Sequence, residues 1–217
     1  MKKFILNISM QRSKKYFCQK YGDDWFYTFK KSSSQNFKTI NAKIPNIGKS
    51  VFSMNYQFAP AYIAWYLSLR ELNLTPEEID KNIWTLNENL MMISKPLLKL
   101  CGKIYFNGFK RKALKQIRRQ KNGQTHPYDW KIDFKEIDKN SFESNIYECA
   151  FKKLARDFHV EAMLPGICRM DYLTAHLMGN GFIRTKTLGD GDDRCNCQYF
   201  KTGDCDWSPE RGFTSRK

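Results

Sequence analysis

Thr187-Leu188-Gly189-Asp190-Gly191-Asp192-Asp193-Arg194-Cys195-Asn196-Cys197-Gln198-Tyr199-Phe200 is the stretch that decides the fold class of this chain. An alternating run from Phe182 to Leu188 enters a turn rich in Gly and Asp, and a second run from Arg194 to Phe200 leaves it. Period-two alternation on both sides of Gly-Asp turn chemistry predicts a tight β-hairpin whose outgoing strand opens on a cysteine. The carboxylates of the turn resemble hard-cation ligands. They lack the full pattern of a calcium loop, however, and Asp and Gly are the residues a hairpin turn requires in any case.

Upstream of the hairpin the period-two signal recurs. Trp130, Ile132 and Phe134 alternate with Lys131, Asp133 and Lys135, which predicts a strand, and Phe142 to Phe151 predicts another. Lys152–Phe158 and Leu164–Met178 read as helices between the two pairs of strands. The first half of the chain has helical periodicity instead. Tyr16, Phe17, Tyr21, Trp25, Phe26 and Phe29 predict one helix from Ser13 to about Phe29, followed by polar breaks at Ser32–Asn36 and Asn46–Ser50. Gly48-Lys49-Ser50 has the end of a phosphate-binding loop, but Lys43 stands where that loop needs its first glycine, so a P-loop is excluded. Ala59–Leu72 is a helix. Thr75-Pro76-Glu77-Glu78 starts the next, with Thr75 as N-cap, Pro76 in the first turn and Glu78 closing a capping box, and it runs to about Ile93. Pro96–Gln120 is a basic helix, and the loop at 122–127 separates a helical part, 1–122, from a sheet-containing part, 128–201. The expected architecture is α+β in a single domain, 1–217. A helical N-terminal half packs on a C-terminal four-stranded antiparallel sheet with two helices inserted between its hairpins, and 202–217 forms a loose tail.

Composition narrows the function classes. Hydrophobic residues make up 41% of the 217 and aromatic residues 15%, a globular composition with enough apolar side chains for a sizeable core. Mean hydropathy is -0.62 and no apolar run is long enough to span a bilayer, so no membrane partner is expected. The first residues lack the apolar stretch of a signal peptide, and the seven cysteines fit neither a disulfide framework nor a paired-Cys zinc site, so a cytoplasmic protein with free thiols is expected. The net charge is +15, and no acid lies between Glu88 and Asp129, an interval with ten Lys and Arg residues from Lys95 to Lys121. That surface could draw nucleic acid, anionic lipid or an acidic substrate. Arg111, Lys115 and Arg118 align at helical spacing while Ala113, Leu114 and Ile117 form an apolar stripe. An amphipathic helix with a basic outer face accounts for this pattern, and nucleic-acid binding is therefore not expected.

The residues able to carry chemistry cluster late in the chain. Cys168 and Asp171 lie one helical turn apart and share a face. A thiol near a helix N-terminus and next to Arg169 fits a nucleophile, and a carboxylate can orient a base, accept a proton or grip an amidine by paired hydrogen bonds. Core packing of Cys168 and a surface pairing of Asp171 satisfy the same spacing. Cys149 and Cys195 would meet Cys168 if their strands pair. Three thiols and a carboxylate could hold a metal, but the spacing does not require one, and no metal or cofactor is expected.

Trp130, then Tyr147-Glu148-Cys149, then Cys168-Arg169-Met170-Asp171, and then Thr187-Leu188 with Gly191-Asp192 and Cys195 stand in the order and spacing of a known set of motifs. On these residues the chain, over about 130–200, resembles the L-2-amino-thiazoline-4-carboxylic acid hydrolase family, while residues 1–120 are similar only generically. The closing hairpin is the specific part. Where the motif places Asp-Phe after its cysteine, this chain has Asn196-Cys197, which puts an acid–base role at 196 and the packing at 197 in question. The resemblance implies a hydrolase that opens a small cyclic amidine, such as 2-amino-thiazoline-4-carboxylate, to a carbamoyl-cysteine. On that reading Cys168 or Cys195 is the nucleophile and Asp171 holds the amidine, these three being the catalytic set. Arg169, Arg184 or Arg194 takes the substrate carboxylate, and Cys149 completes the substrate-binding set. The closing hairpin is also similar to the end of ligand-binding domains of the vinyl-reductase type, so a non-catalytic binding or sensor domain on the same scaffold is the alternative.

Overall fold

A computed structural model describes residues 2–91 and 94–205. The expected end near Ile93 of the helix that starts at Thr75-Pro76, and most of the expected tail, 206–217, lie outside the described residues.

The aromatic run near the N-terminus forms two helices instead of one. α1 (Lys2–Tyr21) and α2 (Asp23–Lys43) are separated by Gly22, whose φ of 93° only glycine adopts without strain. The serine-rich stretch expected to break the chain lies inside α2. Ser33 is buried, Ser32 Oγ donates to Ser68 Oγ at 2.8 Å, and Asn36 Nδ2 donates to Ser68 Oγ at 2.9 Å. Small polar side chains with partners across a helix interface allow close packing and leave the helix intact. Their partner helix is α4 (Ala59–Glu71), reached through the short α3 (Ser53–Tyr56). α5 (Pro76–Leu90) starts on the predicted capping box: Glu78 N donates to Thr75 Oγ1 at 3.3 Å and Thr75 N donates to Glu78 Oε2 at 2.9 Å.

α6 (Lys95–Lys121) bridges the two halves. Its inner seam is Leu98, Phe106, Phe109 and Ala113, with Gln116, whereas Leu114 of the expected apolar stripe is 42% exposed. The remaining elements are β1 (Lys131–Ile132), β2 (Lys135–Asp138), β3 (Ser141–Glu148), α7 (Ala150–Asp157), a 3-10 turn at Glu161–Met163, α8 (Leu164–Cys168), α9 (Met170–Met178), β4 (Gly181–Ile183), a second 3-10 turn at Leu188–Asp190 and β5 (Cys195–Phe200). The fold is α+β, and the sheet is antiparallel in the order β1-β3-β5-β4.

It holds five strands rather than four because β1 and β2 both pair with β3. They are one edge strand interrupted at Asp133, whose Oδ1 accepts from Asn145 N at 2.8 Å and whose Oδ2 accepts from the Tyr147 hydroxyl at 2.8 Å. β3 stops at Glu148, because Ala150, Phe151, Leu154 and Ala155 form the buried face of α7. The sheet lays Phe142 and Tyr199 on α6. Phe142 stacks on Phe109 with ring centroids 4.8 Å apart and on Tyr199 at 4.9 Å. One apolar core runs from Leu6 and Phe29 through Trp65 to Trp130, Phe142 and Met163, so helices and sheet share it. Gly102 lets α6 approach the end of α9, where a Cβ would stand 2.7 Å from Met178 Cβ.

Candidate active site

Two local irregularities build the site. The first is in the helix predicted over Leu164–Met178, which is divided at Arg169. The Tyr172 amide bonds back to the Arg169 carbonyl at 3.1 Å, leaving the Cys168 carbonyl without its helical donor. The second is in the hairpin. β4 and β5 pair only from Gly181↔Phe200 to Ile183↔Gln198, and the expected tight turn is a loop over 184–194. Arg184 shares the inward side of the strand with Phe182, while Ile183 between them is exposed, so a cation stands on the buried face. Arg184 Nη1 donates to Asp171 Oδ2 at 2.7 Å and Nη2 donates to the Cys168 carbonyl at 2.9 Å, so the guanidinium fork fills the gap in the broken helix. The cation stands 5.2 Å from the Tyr172 ring and 5.6 Å from the Phe182 ring, and the Tyr172 hydroxyl donates to the Arg184 carbonyl at 2.8 Å.

Asp171 is enclosed by the fold, yet its side chain keeps 39% of its surface accessible, against 2% for Arg184. The carboxylate side chain is therefore partly accessible to solvent. Burial raises its pKa above the ordinary carboxylate value, and Arg184 opposes that rise by charge and hydrogen bond.

The rest of the loop is held by cysteine and by turn chemistry. Cys195 Sγ accepts from Leu188 N at 3.3 Å and stands 3.5 Å from Thr187 Oγ1. Cys168 Sγ lies against Gly189, where a Cβ would come within 2.7 Å of the sulfur. Of the acidic turn, Asp192 Oδ2 accepts from Thr187 N at 2.8 Å, and Asp193 pairs with Lys186 at 3.1 Å and with Arg194 at 2.5 Å. Asn196 Oδ1 accepts from Thr185 N at 3.0 Å and from Lys186 N at 2.7 Å, a loop-bracing task that an amide oxygen performs as well as a carboxylate oxygen. Cys197 is buried beside Phe182 and Ala175.

The structure thus joins Cys168, Asp171 and Arg184 directly. Cys149, the N-cap residue of α7, and Cys195 lie near enough that a negative charge on either would disfavour a thiolate at Cys168. Two of the arginines predicted to bind substrate point elsewhere: Arg194 pairs on the surface with Asp193, and the buried Arg169 guanidinium lies 5.6 Å from the Trp84 ring. Burial pushes the Cys149 thiol up to about 11 and Cys168 up to about 12, the latter against the pull of Arg184. A thiol-directed reagent at neutral pH is therefore expected to modify the exposed Cys101 and to leave Cys149 and Cys168 unmodified, read by site in peptide mass spectra. Prompt labelling of Cys168 would overturn this order.

Further side chains lie within reach of the Asp171 charge, and sequence reading missed them. The charge of Asp171 raises the pKa values of Tyr62 on α4, Tyr105 on α6 and Tyr199 on β5, in each case after the larger effect of burial. Asn87 on α5 is fully buried beside Tyr62, and neither of its amide atoms makes a hydrogen bond of normal geometry. Nothing in the local pattern distinguishes these residues from helix core positions. Two surface concavities, one of about 250 Å³ at His126 and Lys153 and one of about 110 Å³ at Asn107 and Glu136, are lined by none of these residues.

The site is thus a partly accessible carboxylate braced by a buried arginine, with tyrosines and thiols close enough to feel its charge, on an α+β scaffold. A family model described as L-2-amino-thiazoline-4-carboxylic acid hydrolase matches residues 55–199, and the chain belongs to that family. The match reaches well into the helical half, further than the residues 130–200 that carry the motifs, and it includes Tyr62, Asn87 and Tyr105. No curated protein and no solved structure matches the chain.

Proposed function

We propose that this protein is a hydrolase that opens a small cyclic amidine such as 2-amino-thiazoline-4-carboxylate to a carbamoyl-cysteine. The observation that carries the reading, beside family membership, is the accessible Asp171 carboxylate held by Arg184. Asp171 takes a proton from water as the water oxygen bonds to the carbon between sulfur and nitrogen, and that proton passes to the ring nitrogen. As the new carbonyl forms, the carbon–sulfur bond breaks and the sulfur leaves as a thiol with the remaining hydroxyl proton. One water is consumed and no oxidant or reductant is required. Arg184 positions the carboxylate and favours its ionised form. Tyr62 and Tyr105, both with raised pKa values and so protonated, donate hydrogen bonds to the substrate carboxylate. The raised thiol pKa values support water, rather than Cys168, as the nucleophile.

The packing of Cys195 and Cys197 favours a second reading, a binding module without turnover. Incubation with 2-amino-thiazoline-4-carboxylate, followed by NMR, separates the two. Carbamoyl-cysteine is the expected product. Saturable binding with no product would replace the hydrolase by the binding module, and neither binding nor product would remove both.

A further inference from the structure

α6 has a second face that the fold does not use. Leu98, Phe106, Phe109 and Ala113 meet the sheet side and satisfy the packing of the helix. On the opposite side Leu97 is 50% exposed, Leu100 54% and Ile104 64%. Their spacing places them on one line along the helix. The same line continues through Arg111, Lys115 and Arg118, all exposed, and Lys103 and Lys112 flank it. From Leu97 to Arg118 it runs about 30 Å. Among the described residues, the ion pair made by this stretch is that of Lys110 with Glu136.

We propose that this face of α6 docks the protein on an anionic membrane surface, with Leu97, Leu100 and Ile104 inserted at the interface and the lysines and arginines on the lipid headgroups. Aliphatic side chains in a row, followed and flanked by long cationic ones, are what a helix lying in the headgroup region requires. The aliphatic groups leave water, and the cations reach back to phosphate and carboxylate groups. Nucleic acid would use the positive charge, but it gives three aliphatic side chains nothing to bury against, and the line presents no aromatic side chain for stacking bases. A second copy would bring two acid-free basic faces together, and like charges oppose that contact. A helix on a bilayer surface needs no spanning stretch. The proposal departs from the expectation of no membrane partner and agrees with the finding that no described helix is long and apolar enough to cross a membrane.

Sedimentation with phosphatidylcholine vesicles, with and without phosphatidylserine, tests it. The full chain is expected to sediment with the phosphatidylserine vesicles, to stay in solution with phosphatidylcholine alone, and to be released by salt. The triple variant Leu97→Ser, Leu100→Ser, Ile104→Ser is expected to bind roughly tenfold more weakly or worse. Arg111→Glu with Lys115→Glu is expected to lose about as much. All five positions are exposed, so far-ultraviolet circular dichroism should be unchanged. Three results would overturn the proposal: no sedimentation with phosphatidylserine vesicles, undiminished binding by the triple variant, or a concentration-dependent dimer abolished by that variant. Binding to duplex DNA or RNA that survives the triple variant, without vesicle binding, would assign the face to nucleic acid instead.

Discussion

Asp171→Asn is expected to lower kcat/KM for 2-amino-thiazoline-4-carboxylate about 10³-fold, the scale of a lost general base. The substitution is nearly isosteric, and its amide oxygen can still accept from Arg184 Nη1, so the loop over 184–194 keeps its anchor. The loss should fall on kcat more than on KM if Asp171 acts on the water and not on the resting substrate. The pH profile supplies a second readout. Burial raises the carboxyl above its ordinary value, so the acid limb of kcat/KM should lie above the usual carboxylate range. Activity then falls as pH drops through that raised value, because the base becomes protonated. Stability moves the other way. A carboxyl with a raised folded pKa adds stability fully below its unfolded pKa, and this is lost as pH rises through the folded one. The Asn variant should lose both dependences. An Asp171→Asn protein that keeps wild-type turnover and the same acid limb would remove Asp171 from the chemistry.

How far the site was legible follows from where each piece of information resides. Thr75-Pro76-Glu77-Glu78 could be read because a capping box lies within four residues, and it formed as read. β3 and β5 announced themselves through alternation, whereas the one helix expected to carry Cys168 and Asp171 is divided between them at Arg169. The serine-rich stretch misled because local polarity does not show that Ser68 and Glu71 wait across a helix interface. Arg184 misled in a similar way. Alternation assigned it to a strand, but a carbonyl freed by the break at Arg169 and a carboxylate one turn on supply a stronger set of partners. Tyr62, Asn87 and Tyr105 left no local sign at all. They come from three helices; Tyr62 and Tyr105 are linked by the charge of Asp171 and Asn87 by its place beside Tyr62, which is information held by tertiary structure alone.

Removing Arg184 is the sharper test of architecture. Arg184→Met is expected to destabilise the protein by about 3 kcal/mol, the lower end for breaking a buried ion pair, since Asp171 keeps partial access to water that softens the loss. For a chain of this size that corresponds to a fall in Tm of roughly 10 °C. Three things fail together. Asp171 is left with an unpaired, partly buried charge, the Cys168 carbonyl loses the donor that replaced its helical one, and the loop over 184–194 loses the side chain that pins it to α8 and α9. Arg184→Lys should recover only part of the loss, because a single ammonium cannot reproduce a fork that spans a carboxylate and a carbonyl. The double variant Arg184→Met, Asp171→Leu distinguishes lost attraction from orphaned charge. With no carboxylate left to strand, it should melt above Arg184→Met alone, although it is inactive. If the double variant melts lower still, with losses that simply add, the two side chains are stabilising independently, and the pair is not the unit that holds the broken helix to the hairpin loop.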